Sequence, residues 1–299
     1  LKLTILHIYT FFMKKNTAPF FVCLLLLLAS CTNNKKEETP KHDTANIDYG
    51  NNSTAGKFVD INGIKMYYEV YGSGKPLVLI HGNGGSIKDM KAQIEYFSKK
   101  YKVIVGDSRS HGKTTDSEGL INYPQMAEDW NALLEKLNTD SALIIGWSDG
   151  GILSLLLAIN HPDKVKMFAA MGANLQPDSS AVHPWAVQWV KDMRIHADSM
   201  LAKNDQTENW KLQQKLLDLL GQQPHIPLID LHKISAPALI LCGDRDVIKE
   251  EHTMQIYHNI AKSWLCIFPG ETHMIPATNP ALFNATVDSF FSKPYTRPD

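Results

Sequence analysis

The sequence predicts an α/β fold: a mostly parallel, doubly wound sheet with a small helical cap inserted after the sixth strand. Three observations carry that reading. Between Pro76 and Phe268, short runs that are apolar throughout alternate with longer stretches of helical period. A strand apolar at every position is one covered on both faces, as in parallel sheets. Several of these runs end in turns crowded with Gly, Asp, Ser and His, at His81 to Gly85, Gly146 to Gly151, Gly243 to Asp246 and Gly270 to His273. The alternation lapses once, between Gly172 and Ser235, where two helical stretches stand with no strand between them.

In chain order, residues 1–30 read as a targeting sequence. Met13-Lys14-Lys15 opens a mostly apolar stretch, Ala18 to Ala29, that is too short to cross a membrane comfortably. Residues 1–12 then precede an expected start at Met13. Residues 31–56 are rich in Asn, Lys, Glu and Thr, carry too little apolar surface to fold, and are expected to form a tether.

The folded body is expected as one core made of residues 57–171 and 236–299, with residues 172–235 as the cap. Phe58 to Ile61 and Ile64 to Tyr71 alternate around Asn62-Gly63, a hairpin signal. Pro76 to Ile80 is an apolar strand, followed by a Gly-rich turn and an amphipathic helix over Ser86 to Lys99. Val103 to Val105, Ala142 to Ile145 and Val165 to Met171 are further buried strands, and Met126 to Leu137 and Ile152 to Ile159 are helices. In the cap, Trp185 to Leu201 and Glu208 to Leu220 read as helices; Trp185, Trp189 and Met193 recur four apart and are expected to pack as a stripe. An insertion at this point is also where a lid over a site would sit. Pro237 to Leu241, Glu250 to Ala261, Trp264 to Phe268 and Pro280 to Phe291 complete the sheet rhythm as strand, helix, strand and helix.

The 299 residues are 44% hydrophobic and 20% charged, enough to bury one sizeable core. A net charge of -1, without a Lys/Arg run in the body, argues against a nucleic-acid partner, and no protein partner is evident. Of the four cysteines, Cys23 and Cys31 belong to the N-terminal segment, while Cys242 and Cys266 lie in strand-like runs and read as buried free thiols, with a disulfide as the other reading. Their spacing suggests no metal site, and nothing in the sequence calls for a cofactor.

The chemistry gathers at the turns. Gly146-Trp147-Ser148-Asp149-Gly150 sits between a strand-like and a helix-like run. That setting puts a serine hydroxyl at the tip of a sharp, strained turn. Serine is a weak nucleophile at neutral pH and needs a base, and the base needs an acid to orient it. At the ends of later strands stand Asp244 and Asp246 as candidate acids and His273 as candidate base, with His81 and His111 as alternatives to His273. Side chains at the carboxyl ends of strands in an open parallel sheet converge on one edge.

These motifs resemble those of the α/β-hydrolases, over nearly all of residues 57–299. The resemblance implies a catalytic triad of Ser148, Asp246 and His273, in the chain order typical of that architecture. It also implies an oxyanion hole from the backbone N–H groups of Asn83 and Asp149, with His81 shaping the oxyanion loop. The elbow is similar to that of biphenyl-hydrolase-like and valacyclovirase-type esterases. This makes Trp147 and Asp149 candidate substrate-binding residues, with Asp149 either holding a substrate ammonium or capping the helix that starts there. One departure is Ser110, where the family often has Gly in Asp-x-Arg-Gly-x-Gly. The implied activity is cofactor-free cleavage of carboxylic esters of small molecules. Lactonase, amidase, perhydrolase and C–C hydrolase chemistry share the triad, and a binding protein on a hydrolase scaffold is the reading of another class.

Leu28-Ala29-Ser30-Cys31 in turn resembles the bacterial lipobox, which implies cleavage before Cys31 and lipid attachment to it. A plain signal peptide cut near Ala29 is the other reading. The lipobox places the domain in the cell envelope, anchored to a membrane, the outer membrane by expectation, on its periplasmic or surface side. Lys35-Lys36-Glu37-Glu38 resembles a surface-export signal and serves equally as solvated linker.

Overall fold

The protein organises itself around a strand-order reversal in one eight-stranded sheet. The computed structural model describes residues 47–115 and 119–296. The strands are β1 (Gly56–Ile61), β2 (Ile64–Tyr71), β3 (Lys75–Ile80), β4 (Tyr101–Gly106), β5 (Ala142–Trp147), β6 (Val165–Met171), β7 (Ala238–Arg245) and β8 (Ser263–Thr272), arranged β1-β2-β4-β3-β5-β6-β7-β8. β1 and β2 form an antiparallel hairpin whose turn residues, Asn62 and Gly63, both have positive φ (43° and 77°), as a two-residue hairpin turn requires. β2 also runs antiparallel to β4, and every later pairing is parallel. β3 lies between β4 and β5, so the chain winds one way from β3 and then crosses to the other side. Such a switch point opens a crevice beyond the carboxyl ends of the strands.

The helices α1 (Lys91–Phe97), α2 (Tyr123–Lys136), α3 (Asp149–Asn160), α4 (Pro184–Ala202), α5 (Trp210–Gln222), α6 (Glu250–His258), α7 (Ile275–Thr278) and α8 (Pro280–Phe291) cover both faces of the sheet or build the cap. Alternate residues of the same strand feed two separate cores. Val78, Ile80 and Ile144 pack with Trp130, Leu133 and Leu153 on one face, while Leu77, Leu79 and Ile145 pack with Ile94, Phe97 and Phe283 on the other. Full burial of a side chain as large as Phe283 contributes about 2–3 kcal/mol. The sheet is thus held from both sides, as its unbroken apolar strands demand.

The packed body starts at Asp48, upstream of the expected start at residue 57. Tyr49 is buried against the second core, and the buried carboxylate of Glu69 accepts hydrogen bonds from Gly50 N (2.9 Å), Asn52 N (3.0 Å), Tyr67 Oη (2.7 Å) and Tyr71 Oη (2.7 Å). Four donors compensate for taking that charge out of water. Residues 48–56 therefore belong to the domain and not to the tether. Residues 1–46, including Cys31 and the lipobox, lie outside the described residues. Among the described residues, no helix is long and apolar enough to cross a membrane.

Cys242 and Cys266 are free thiols. β7 and β8 pair Leu241 with Cys266, so Cys242, one residue further on, points to the opposite face of the sheet. Burial pushes the Cys242 thiol up to about 12.

In the cap, α4 turns Val190, Met193 and Ala197 toward Trp210 and Leu217 of α5. The stripe expected at Trp185, Trp189 and Met193 is only partly right: Met193 packs, but Trp185 is 45% exposed. A strict spacing of four drifts off a face with 3.6 residues per turn, whereas 190, 193 and 197 stay on it.

Candidate active site

Ser148 sits between β5 and α3 with φ 58° and ψ -116°, a conformation that costs a non-glycine residue about 1–3 kcal/mol. The sequence pays for the turn with small neighbours. A Cβ on Gly146 would lie 1.9 Å from the Gly150 carbonyl oxygen. On Gly82, in the turn after β3, a Cβ would lie 3.0 Å from Ser148 Cβ. The Gly-rich turn, closed by Gly85 N donating to Gly82 O (3.1 Å), therefore lies directly against the serine.

His273 follows β8 and completes the arrangement. Its Nε2 stands 2.9 Å from Ser148 Oγ, and its Nδ1 stands 2.6 Å from Asp246 Oδ1. A carboxylate only accepts, so Nδ1 carries the proton and Nε2 is left to accept from the serine hydroxyl. The Asp246 side chain is wholly buried and also accepts from Ile248 N (3.0 Å) and Gly243 N (3.4 Å). Burial by itself pulls the His273 pKa down. The Asp246 charge and hydrogen bond, with the Asp149 charge, outweigh burial and leave the pKa above its ordinary value.

The remaining candidates separate cleanly. Asp244 accepts from Gly270 N (2.8 Å) and so shapes a turn away from the imidazole. His81 accepts from Ser108 N (3.0 Å) and donates to Gly82 O (2.7 Å), while His111 donates to Arg109 O (2.8 Å). Both rings are buried, which holds their pKa values down to about 4 and about 3. They stand 5.1 Å apart, centroid to centroid, as structural neutral imidazoles beneath the turn. Ser110 has φ 63°, the left-handed region, which is why glycine suits that position.

Two expectations need correction. Trp147 is buried, and its Nε1 donates to the His273 carbonyl (2.8 Å), so its polar handle steadies the loop of the histidine and is not offered to a ligand. Asp149 is 2% exposed; its Oδ1 accepts from Tyr123 Oη (2.8 Å) and its Oδ2 from Asn83 Nδ2 (3.1 Å). Its carboxylate is therefore neither the helix cap, a position held by Ser148, nor an open acceptor for a substrate ammonium. Burial raises its pKa to about 6, against the lowering effect of its two donors.

Sequence reasoning missed two residues. A Cβ on Gly172, which follows β6 with φ 63°, would lie 2.5 Å from His273 Cε1, so this glycine is the floor under the imidazole. Its signal was a glycine directly after the strand beside the elbow strand. Tyr123 gave no such signal, because its partner lies 26 positions away.

The family model for the alpha/beta hydrolase fold matches residues 75–225. The chain belongs to the α/β-hydrolase family. Over 259 residues this hydrolase is 24% identical to the human serine hydrolase BPHL, covering 81% of the chain and 88% of the relative. It is 25% identical over 256 residues to the (E)-2-((N-methylformamido)methylene)succinate hydrolase of Acinetobacter baylyi, covering 77% of the chain and 95% of the relative. Among solved structures, the enol-lactonase of Burkholderia xenovorans matches with a TM-score of 0.67 at 18% identity, over 79% of this hydrolase and 100% of that chain; that likeness is one of fold.

Proposed function

We propose that the protein is a serine hydrolase that cleaves carboxylic esters of small molecules through an acyl-enzyme on Ser148. The observation that carries the reading is the continuous line from Asp246 through His273 to Ser148 Oγ. In this mechanism Ser148 Oγ attacks the ester carbonyl as Nε2 of His273 takes its proton, and Asp246 stabilises the imidazolium. The negative charge on the former carbonyl oxygen is met by the backbone N–H groups of Asn83 and Asp149, a kind of contact worth about 3–4 kcal/mol when one donor is removed. The imidazolium then protonates the departing alkoxide. In the second half His273 takes a proton from water as the water oxygen attacks the acyl carbon, and the imidazolium returns that proton to Ser148 Oγ as the bond from Oγ to the acyl carbon breaks and the carboxylic acid leaves. The relative described as a serine hydrolase supports this reading.

Incubation of the folded protein with a fluorophosphonate probe tests it, alongside hydrolysis of p-nitrophenyl esters of graded acyl length. Labelling should map to Ser148 and vanish in Ser148→Ala; a folded protein that resists the probe overturns the proposal. Anchoring to a membrane of the cell envelope through lipid on Cys31 is a separate part of the proposal. It is tested by fatty-acid labelling in cells, which Cys31→Ala should abolish.

A further inference from the structure

Four separate pieces of chain meet around the Asn83 side chain and the Asp149 carboxylate. Asp149 opens α3, Asn83 comes from the turn after β3, Tyr123 begins α2, and Leu216 lies in cap helix α5. Tyr123 is fully buried and donates its phenol proton to Oδ1. Asn83 Nδ2 donates to Oδ2 at 3.1 Å and to the Leu216 carbonyl at 3.3 Å. Both N–H bonds of one amide group are thus committed, which fixes the orientation of the Asn83 side chain. The cap makes a second contact nearby, where Tyr123 N donates to Gln223 Oε1 at 3.3 Å.

The arrangement is costly for a merely structural device. A buried carboxylate loses its hydration, and the two donors bonded to this one are neutral, with His273 acting on it only through its charge. What the carboxylate supplies that an apolar group cannot is a fixed acceptor, one residue past the nucleophile, for the side chain of the residue opposite.

We infer that the Asp149 carboxylate and Tyr123 are positioning residues which, through the Asn83 side chain, hold the Gly82–Gly85 turn in register with Ser148 and tie it to cap helix α5. The inference rests on the serine-hydrolase reading for its kinetic consequence, since the turn then supplies the Asn83 N–H to the oxyanion. It makes the oxyanion donor dependent on the seating of the cap. When α5 lifts, Asn83 loses the Leu216 carbonyl and half of what orients it.

The experiment compares Tyr123→Phe, Asn83→Ala and the double variant with the unmodified full chain, by hydrolysis of p-nitrophenyl butyrate and by amide hydrogen exchange. Neither substitution removes the Asn83 backbone N–H. Each single variant should lose about tenfold in kcat with KM within about threefold, because a displaced donor costs transition-state binding and not ground-state binding. The double variant should fall no more than about twofold below the worse single one, since both cut the same chain of contacts. Hydrogen exchange in residues 82–86 should quicken in all three. The inference is overturned by unchanged kcat in both single variants, by losses that multiply in the double, or by exchange that stays at the unmodified rate. The exchange arm needs no substrate. A protein that hydrolyses no ester but shows faster exchange counts against the serine-hydrolase reading alone.

Discussion

The indole of Trp147 and the backbone of His273 are joined by a 2.8 Å hydrogen bond, so the residue before Ser148 holds the main chain of the histidine that faces it. Ser148 and His273 are 125 positions apart in sequence, and this bond spans nearly the same gap. Trp147→Phe keeps a smaller aromatic ring and removes the donor. It should lower kcat about three- to tenfold with KM little changed, because near-attack geometry loosens while substrate contacts persist. Steady-state kinetics on one p-nitrophenyl ester checks it; an equal rise in KM would instead mark Trp147 as a substrate contact.

The pH profile follows from the direction of the His273 shift. Neutral imidazole is the active form, and its pKa is raised above 6.5, so activity should be lost as pH falls through a midpoint above that value. Removing the Asp246 charge takes away the largest raising effect and leaves burial in command. In Asp246→Asn the acid limb should shift downward, and kcat should fall by about 10³- to 10⁴-fold. Rates between pH 5 and 9 measure both.

Gly172→Ala should be far more damaging than its one added carbon suggests. The new Cβ would lie 2.5 Å from His273 Cε1 at a backbone φ of 63°, so the ring must move or the turn must strain. Loss of about 1–2 kcal/mol of stability is expected from the backbone, with at least about a hundredfold loss of kcat from the displaced base. Thermal unfolding beside kinetics separates the two effects.

Glu69→Ala tests the docking of residues 48–52. It strands the hydroxyls of Tyr67 and Tyr71 and frees the backbone of Gly50 and Asn52. A loss of about 2–4 kcal/mol is expected, since several buried donors lose their acceptor together. Limited proteolysis should then cut ahead of β1, where the unmodified protein resists.

Much of this architecture is legible because its signals are local. An apolar strand, a Gly-rich turn and an amphipathic helix each announce themselves within about a dozen residues, and the four turns that converge on the crevice were all readable that way. The closing helix, Pro280 to Phe291, has the bounds its proline and periodicity suggest. What stayed hidden is the set of contacts between distant segments. Tyr49 looks like a lone aromatic in a polar tail until Glu69 supplies the acceptor that draws the tail in. Asp149 looks like a free charge at a helix start until Tyr123 and Asn83 close over it. Periodicity likewise misjudged Trp185, because the partner helix that decides which face of α4 is inside follows later in the chain.

The order in which the crevice is assembled has a consequence for biosynthesis. Ser148 belongs to the first part of the core and His273 to the last strand's loop, with the whole cap threaded between them. A chain that extends only through α4 holds Ser148 without His273, whose loop follows the pairing of β8 with β7. On the serine-hydrolase reading proposed above, reactivity would arrive only with completion of the chain, and a product terminated before β8 would be inert toward whatever the finished protein attacks.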